Sequence, residues 1–162
     1  MAASEPETDA VKAEHRGFIS QLFHTEFQGV RIKDIETLSR CNNNYIHIMT
    51  FESPLVSDLG VSTSPGTVAI PSGTTKAVFR IGNPQGMFNH TVKVENTVAT
   101  MQLARQALSK QNLPIVPKVY AWSKTGGPSS NGWIMEEFMP GANIGPGFHG
   151  TMSAVSQRLV LR

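Results

Sequence analysis

Between Ala77 and Gly141 this chain runs strand, helix, strand, strand, and that order restricts its fold more than any other feature of the sequence. Ala77-Val78-Phe79-Arg80-Ile81 reads as the centre of a strand over residues 76–82, closed by the turn Gly82-Asn83-Pro84-Gln85-Gly86. An amphipathic helix follows from about residue 91 to 111. At ~100° per residue, Val94, Val98, Met101 and Leu108 fall on one inward stripe, and Pro114 lies just past the helix end. Two more strands, near 117–123 and 132–139, are joined by the flexible Lys124-Thr125-Gly126-Gly127-Pro128-Ser129-Ser130-Asn131.

What precedes this run fits around it. Residues 1–8 are polar and bury nothing. From about Asp9 to Phe27, Val11, Phe18, Leu22 and Phe23 give partial helical spacing. Ile32, Ile35 and Leu38 lead toward a first strand. Asn42-Asn43-Asn44 marks a turn, and Tyr45, Ile46, Ile48, Thr50 and Phe51 make a β-rich segment. Residues 52–75 carry Pro54, Gly60, Pro65, Gly66, Pro71 and Gly73, a long loop with one candidate short strand at Val68-Ala69-Ile70. Loops of that length tend to be functional or mobile. The expected fold is α+β: an antiparallel sheet of about five strands, one main packing helix and an N-terminal helix. Residues 1–34 form a tail and helix, 35–141 the sheet-bearing lobe with its loop at 52–75, and 142–162 a Gly-rich linker and the start of a helix near Ser153.

Composition removes several classes of function. With 162 residues, 40% hydrophobic and 16% charged, the chain suits one domain with a real core. Lys and Arg number 14 against 12 acids, with no cationic run, so phosphate neutralisation along a nucleic acid is not expected. The single cysteine, Cys41, leaves no internal disulfide and no multi-cysteine zinc pattern. His15, His24, His47 and His90 lack metal-ligand spacing. Neither a signal peptide nor an apolar stretch near the ~20 residues of a membrane span is present, so a cytoplasmic, reducing compartment is expected. Asn89-His90-Thr91 matches a glycosylation triplet that chance also produces.

Four segments in order carry a family resemblance: Phe79-Arg80-Ile81-Gly82-Asn83-Pro84, then Val92-Lys93-Val94-Glu95-Asn96-Thr97-Val98-Ala99-Thr100-Met101, then Ile115-Val116-Pro117-Lys118-Val119-Tyr120-Ala121-Trp122, then residues 133–141. Together they resemble the small lobe of the aminoglycoside phosphotransferase family, in its divergent fungal-type members. Asn43-Asn44-Tyr45-Ile46 in the first strand pair and the Pro-rich loop after it belong to the same likeness, which covers roughly residues 35–160.

The resemblance implies a kinase-like clamp for ATP and Mg2+, in which transfer is driven by positioning and charge stabilisation around the phosphates. Asn43 and Asn44 would form the turn over the phosphates, since Asn tolerates left-handed backbone; the alternative is an ordinary hairpin turn. Arg80 would be the third-strand cation, able to pair bidentately with phosphate; a solvated strand arginine is the alternative. Alternation places Lys76, Val78 and Arg80 on one face and Phe79 and Ile81 on the other. Glu137 and Met139 would offer their backbone to the adenine edge.

Two positions depart from the family. Its second helix acid, which meets the cation, is here Thr97, about 60° from Val94 around the helix, while Glu95 lies about 100° away on the other flank and is expected to be solvated. Glu136 stands where the family has an apolar residue, and a carboxylate buried there must pair or titrate upward; Arg80 is a conceivable partner, and a one-residue slip would send it to solvent. Gly145-Pro146-Gly147-Phe148-His149-Gly150 satisfies a dinucleotide-loop pattern without the following βαβ unit, and His149-Gly150-Thr151 lacks the Asp of the family's catalytic loop. The family's base and magnesium ligands belong to a large lobe with no counterpart in this chain. No catalytic residue and no metal ligand is therefore expected within it.

The functional expectation is a nucleotide-binding lobe of a small-molecule kinase that is catalytically incompetent as this chain, its acceptor unread. The rival is a non-enzymatic interaction module, docking a protein partner or a second copy through the lobe-facing apolar surface of Phe138, Met139, Leu159, Val160 and Leu161.

Overall fold

A computed structural model describes residues 9–27, 29–38, 43–60, 64–84 and 90–141, with the side chains of residues 90 and 91 excepted. The expected linker and helix at 142–162, the Gly-rich pattern at 145–150 and Asn42 of the Asn-rich turn lie outside these residues.

The elements run α1 (Asp9–Glu26), β1 (Ile32–Leu38), β2 (Asn44–Phe51), β3 (Lys76–Gly82), α2 (His90–Ser109), β4 (Val119–Ser123) and β5 (Trp133–Glu137). The fold is α+β, and the expected sheet of about five strands is a five-stranded antiparallel sheet in the order β1-β2-β3-β5-β4. β1 crosses the expected boundary at residue 35.

The two helices cover opposite faces of the sheet because strand side chains alternate. On one face, α1 buries its i, i+4, i+8 residues His15, Ile19 and Phe23, the last two in one cluster with Met49, Phe51, Phe79, Ile81 and Met135. Asp9 in the first turn and His24 in the last suit the helix dipole. Phe79 lies within this layer, stacked on Trp133 with ring centroids 5.0 Å apart and edge-on to Phe18 at 6.1 Å. On the other face, Val94 and Val98 of α2 pack on Val119 and Ile134, with Met101 and Trp122 alongside. Of the inward stripe expected of α2, Val94 and Val98 are buried and Met101 packs beside them, while Leu108 is half-buried and outside this cluster.

The long loop after β2 is pinned where it is described. Its Val68 N–H donates to the Val119 carbonyl at 2.9 Å, Trp122 Nε1 donates to the Pro65 carbonyl at 2.9 Å, and Ile70 is fully buried. The candidate strand at 68–70 is reduced to one antiparallel bridge, Leu59–Ile70. The segment masks part of the outer edge of β4, which would otherwise present unpaired backbone groups. Gly66 turns with φ +80°, and a Cβ there would stand 2.8 Å from Val98 Cγ1. Gly66→Ala is expected to cost about 1–3 kcal/mol from left-handed strain and the clash together, measured by urea unfolding. A change within 0.5 kcal/mol would show that this loop does not rest on α2.

Candidate functional site

β3 turns Val78 and Arg80 toward α2, as the alternation predicts, and pairs with β5 in the register Val78–Glu136 and Arg80–Ile134. That register sets Glu136 diagonally beside Arg80 on the same face. The two meet, Arg80 Nη2 donating to Glu136 Oε2 at 2.7 Å, with side-chain exposures of 21% and 11%. Glu136 is thus neither a solvent residue nor an orphan. Burial pushes its carboxyl up from the usual range, while the charge and hydrogen bond of Arg80 pull it back down.

The remaining donors of Arg80 are less satisfied. Nη2 also touches Met101 Sδ at 3.4 Å, and Nε is buried with no hydrogen-bond partner among the described residues. Thr97, standing where the resemblance implies an acid, lines the same small cleft as Arg80, Asn44, Lys93 and Gly132. The cleft encloses about 20 Å³, room for one water. Glu95 points elsewhere and meets Lys124 at 3.3 Å on the exposed surface.

Lys93 is the cleft residue that sequence reasoning passed over. It sits near the start of α2, where the helix dipole disfavours a cation and where no acid occupies the first turn. Its Nζ donates to the Asn43 carbonyl at 2.9 Å, and the Asn83 N–H reaches the same oxygen at 3.2 Å. Burial and the neighbouring Arg80 charge lower its pKa. The only signal in the sequence was its place next to Val94, which puts it at the margin of the buried stripe.

The expected binding residues separate into two places. Asn44 and Arg80 share the cleft, and Asn43 bounds it through its carbonyl. Glu137 and Met139 instead line a groove of about 410 Å³ with Arg105, Leu113 and Lys118. The Glu137 amide N–H donates to the Lys118 carbonyl at 2.8 Å, and its carboxylate accepts from the Lys118 N–H at 3.1 Å.

Among the described residues no group of three or more His, Cys, Asp or Glu could hold a metal, and no helix is long and apolar enough to cross a membrane. The donor set of the cleft suits an anion: two cations and an amide side chain face it, and the one acid is already bound to Arg80. Fold and site together define an α+β domain with a cationic cleft between its sheet and its second helix. Comparison with family models, with curated proteins and with solved structures gives no match.

Proposed function

We propose that this chain is the nucleotide-contacting lobe of a phosphotransferase-like protein, holding a phosphate of ATP weakly and transferring none on its own. The observation that carries this reading is the convergence of Arg80 and Lys93, beside Asn44, on one cleft near the start of α2, whose enclosed space admits a water and leaves a phosphate at its mouth. Ile46 and Ile48, opposite Arg80 and Val78 across β2 and β3, are only half-buried on the same face and offer an apolar platform beside the cations. Magnesium arrives with the nucleotide, because the residues present form an anion site and not a cation site. Weakness follows from Glu136, which already neutralises Arg80 and must share it with any phosphate.

Titration of ATP with magnesium, followed by amide chemical shifts, is expected to give a dissociation constant near millimolar, about −4 kcal/mol. Lys93→Ala should weaken it on the order of tenfold, the usual worth of one charge-assisted hydrogen bond. Shifts should cluster at Asn44, Gly82 and Thr97. No shift at 10-fold excess over millimolar ATP overturns the binding, and turnover by the 162-residue chain overturns the claim of incompetence.

A second reading rests on a different surface. Leu113, Ile115 and Met139 are 42%, 63% and 39% exposed, and two of them line the larger groove. Such a patch suits docking of a partner protein or a second copy. A strict monomer by light scattering that captures no partner removes this reading.

A further inference from the structure

His15 and His47 are 32 positions apart and meet inside the protein. His15 Nδ1 lies 3.1 Å from His47 Nε2, and His47 Nδ1 lies 3.0 Å from Thr37 Oγ1. His47 is fully buried and His15 is 3% exposed. Tyr45 packs its ring 4.7 Å from that of His15. β1 sets Thr37 opposite His47 by strand register, and α1 brings His15 down from above.

Facing imidazole nitrogens at this distance share one proton. Two neutral rings satisfy the contact in either direction, one facing nitrogen donating and the other accepting, with the Thr37 hydroxyl free to donate or accept at the far nitrogen. One added proton makes a buried cation, and a second sets N–H against N–H. On α1, Glu14 favours a charged His15 and Arg16 disfavours a charged His47; β1 and β2 contribute the neutral Thr37 and Tyr45.

The pair holds only one end of its helix. Within α1 the buried residues are His15, Ile19 and Phe23, so between Asp9 and Arg16 His15 is the side chain that is buried. Gly17 follows immediately. A Cβ there would meet nothing within 4 Å, so this glycine serves no packing purpose and leaves the helix weak at that point by about 1 kcal/mol relative to Ala.

We propose that the His15–His47 contact is an acid-released latch, which holds the first turns of α1 on the sheet when both rings are neutral and frees them, hinged at Gly17, on protonation. Burial lowers both rings, His47 to about 4, its first cause being desolvation. The docked form binds fewer protons than the released form, whose imidazoles return to ~6.5, so docking weakens as pH falls. The stabilisation is complete above pH ~6.5 and is lost through the interval down to about 4, a change on the order of a few hundredfold from His47 alone. Ile19, Phe23 and Phe27 carry no titrating group and keep the rest of α1 in place.

The test is amide exchange of the 162-residue chain between pH 7 and 4.5, corrected for intrinsic rates, with imidazole shifts recorded on the same samples. Protection of residues 13–16 should fall by about 50-fold or more, in step with imidazole protonation, while residues 19–26 and β3 change only a few-fold. The double variant His15→Phe/His47→Leu should keep the first turns protected at pH 4.5. The latch is overturned if residues 13–16 stay protected to pH 4.5, or if α1 and the sheet open together. Release of the double variant at the wild-type pH would equally overturn it. Should that variant not fold, the paired imidazole and exchange titrations of the wild type decide alone.

Discussion

Phe79→Ala is expected to destabilise the protein by about 3–5 kcal/mol, the largest effect of any single truncation in the core. Phe79 is fully buried at the centre of β3, stacked at 5.0 Å on Trp133 of β5 and edge-on at 6.1 Å to Phe18 of α1. One ring therefore joins the first helix to two central strands. Its removal loses the transfer energy, leaves a cavity and breaks two aromatic pairs worth ~0.5–1.5 kcal/mol each beyond their area. Against a total stability of ~5–15 kcal/mol, that loss leaves many molecules near unfolding. Phe79→Leu, which keeps much of the volume, should cost about 1–2 kcal/mol. Urea midpoints for the two variants decide the matter. A loss under 1 kcal/mol for Phe79→Ala would mean that α1 does not close on this face of the sheet.

Arg80→Met should cost about 3 kcal/mol at pH 7, because it strands Glu136 with 11% of its side chain in water. The figure sits at the low end for a broken buried pair, since Arg80 itself keeps one fifth of its side chain exposed. The pH dependence carries the cause. Burial alone then acts on Glu136 and raises its pKa further above the unfolded value, so the folded state binds the extra proton. Protonation relieves the penalty, so the variant is least destabilised at acid pH and loses stability as pH rises through the raised value. Arg80→Met/Glu136→Gln should abolish that slope. Arg80→Met/Glu136→Met should return within about 1 kcal/mol of the wild type, as apolar replacement of a buried pair is often neutral. A single variant that costs nothing at pH 7 would show that the pair is solvated and structurally idle.

The elements with strong local patterns were legible from the sequence. Residues 76–82 form β3 from Lys76 to Gly82, and the helix expected over 91–111 runs from His90 to Ser109. α1 was legible as a helix only in part, since Val11, Phe18, Leu22 and Phe23 give partial helical spacing, whereas the residues it buries are His15, Ile19 and Phe23. The last two strands were expected too long, at 117–123 and 132–139, and run Val119–Ser123 and Trp133–Glu137. The ladder between them is irregular between Val119 and Ala121, so Lys118 bonds Glu137 without extending the strand. The long loop was expected to be functional or mobile, and where described it is fastened along β4. Its Gly and Pro content announced a loop, whereas its anchorage depends on Val119 and Trp122, which lie far along the chain.

The candidate cleft was half legible. Alternation alone placed Arg80 apart from Phe79 and Ile81, and its pairing with Glu136 was one of two outcomes that the strand pattern permitted. Lys93 was not legible, because its role arises from the approach of α2 to the Asn43 carbonyl.

By itself the sequence determined the order of elements, the faces of β3, and the absence of a cationic run. These follow from backbone periodicity and composition, which act over a few neighbouring residues. Only the tertiary structure decided that Arg80 meets Glu136 across 56 positions and His15 meets His47 across 32. Both meetings depend on strand register and helix docking, and a shift of one residue would turn each partner to the opposite face. Charge placement inside the protein was therefore set by how the whole sheet assembles.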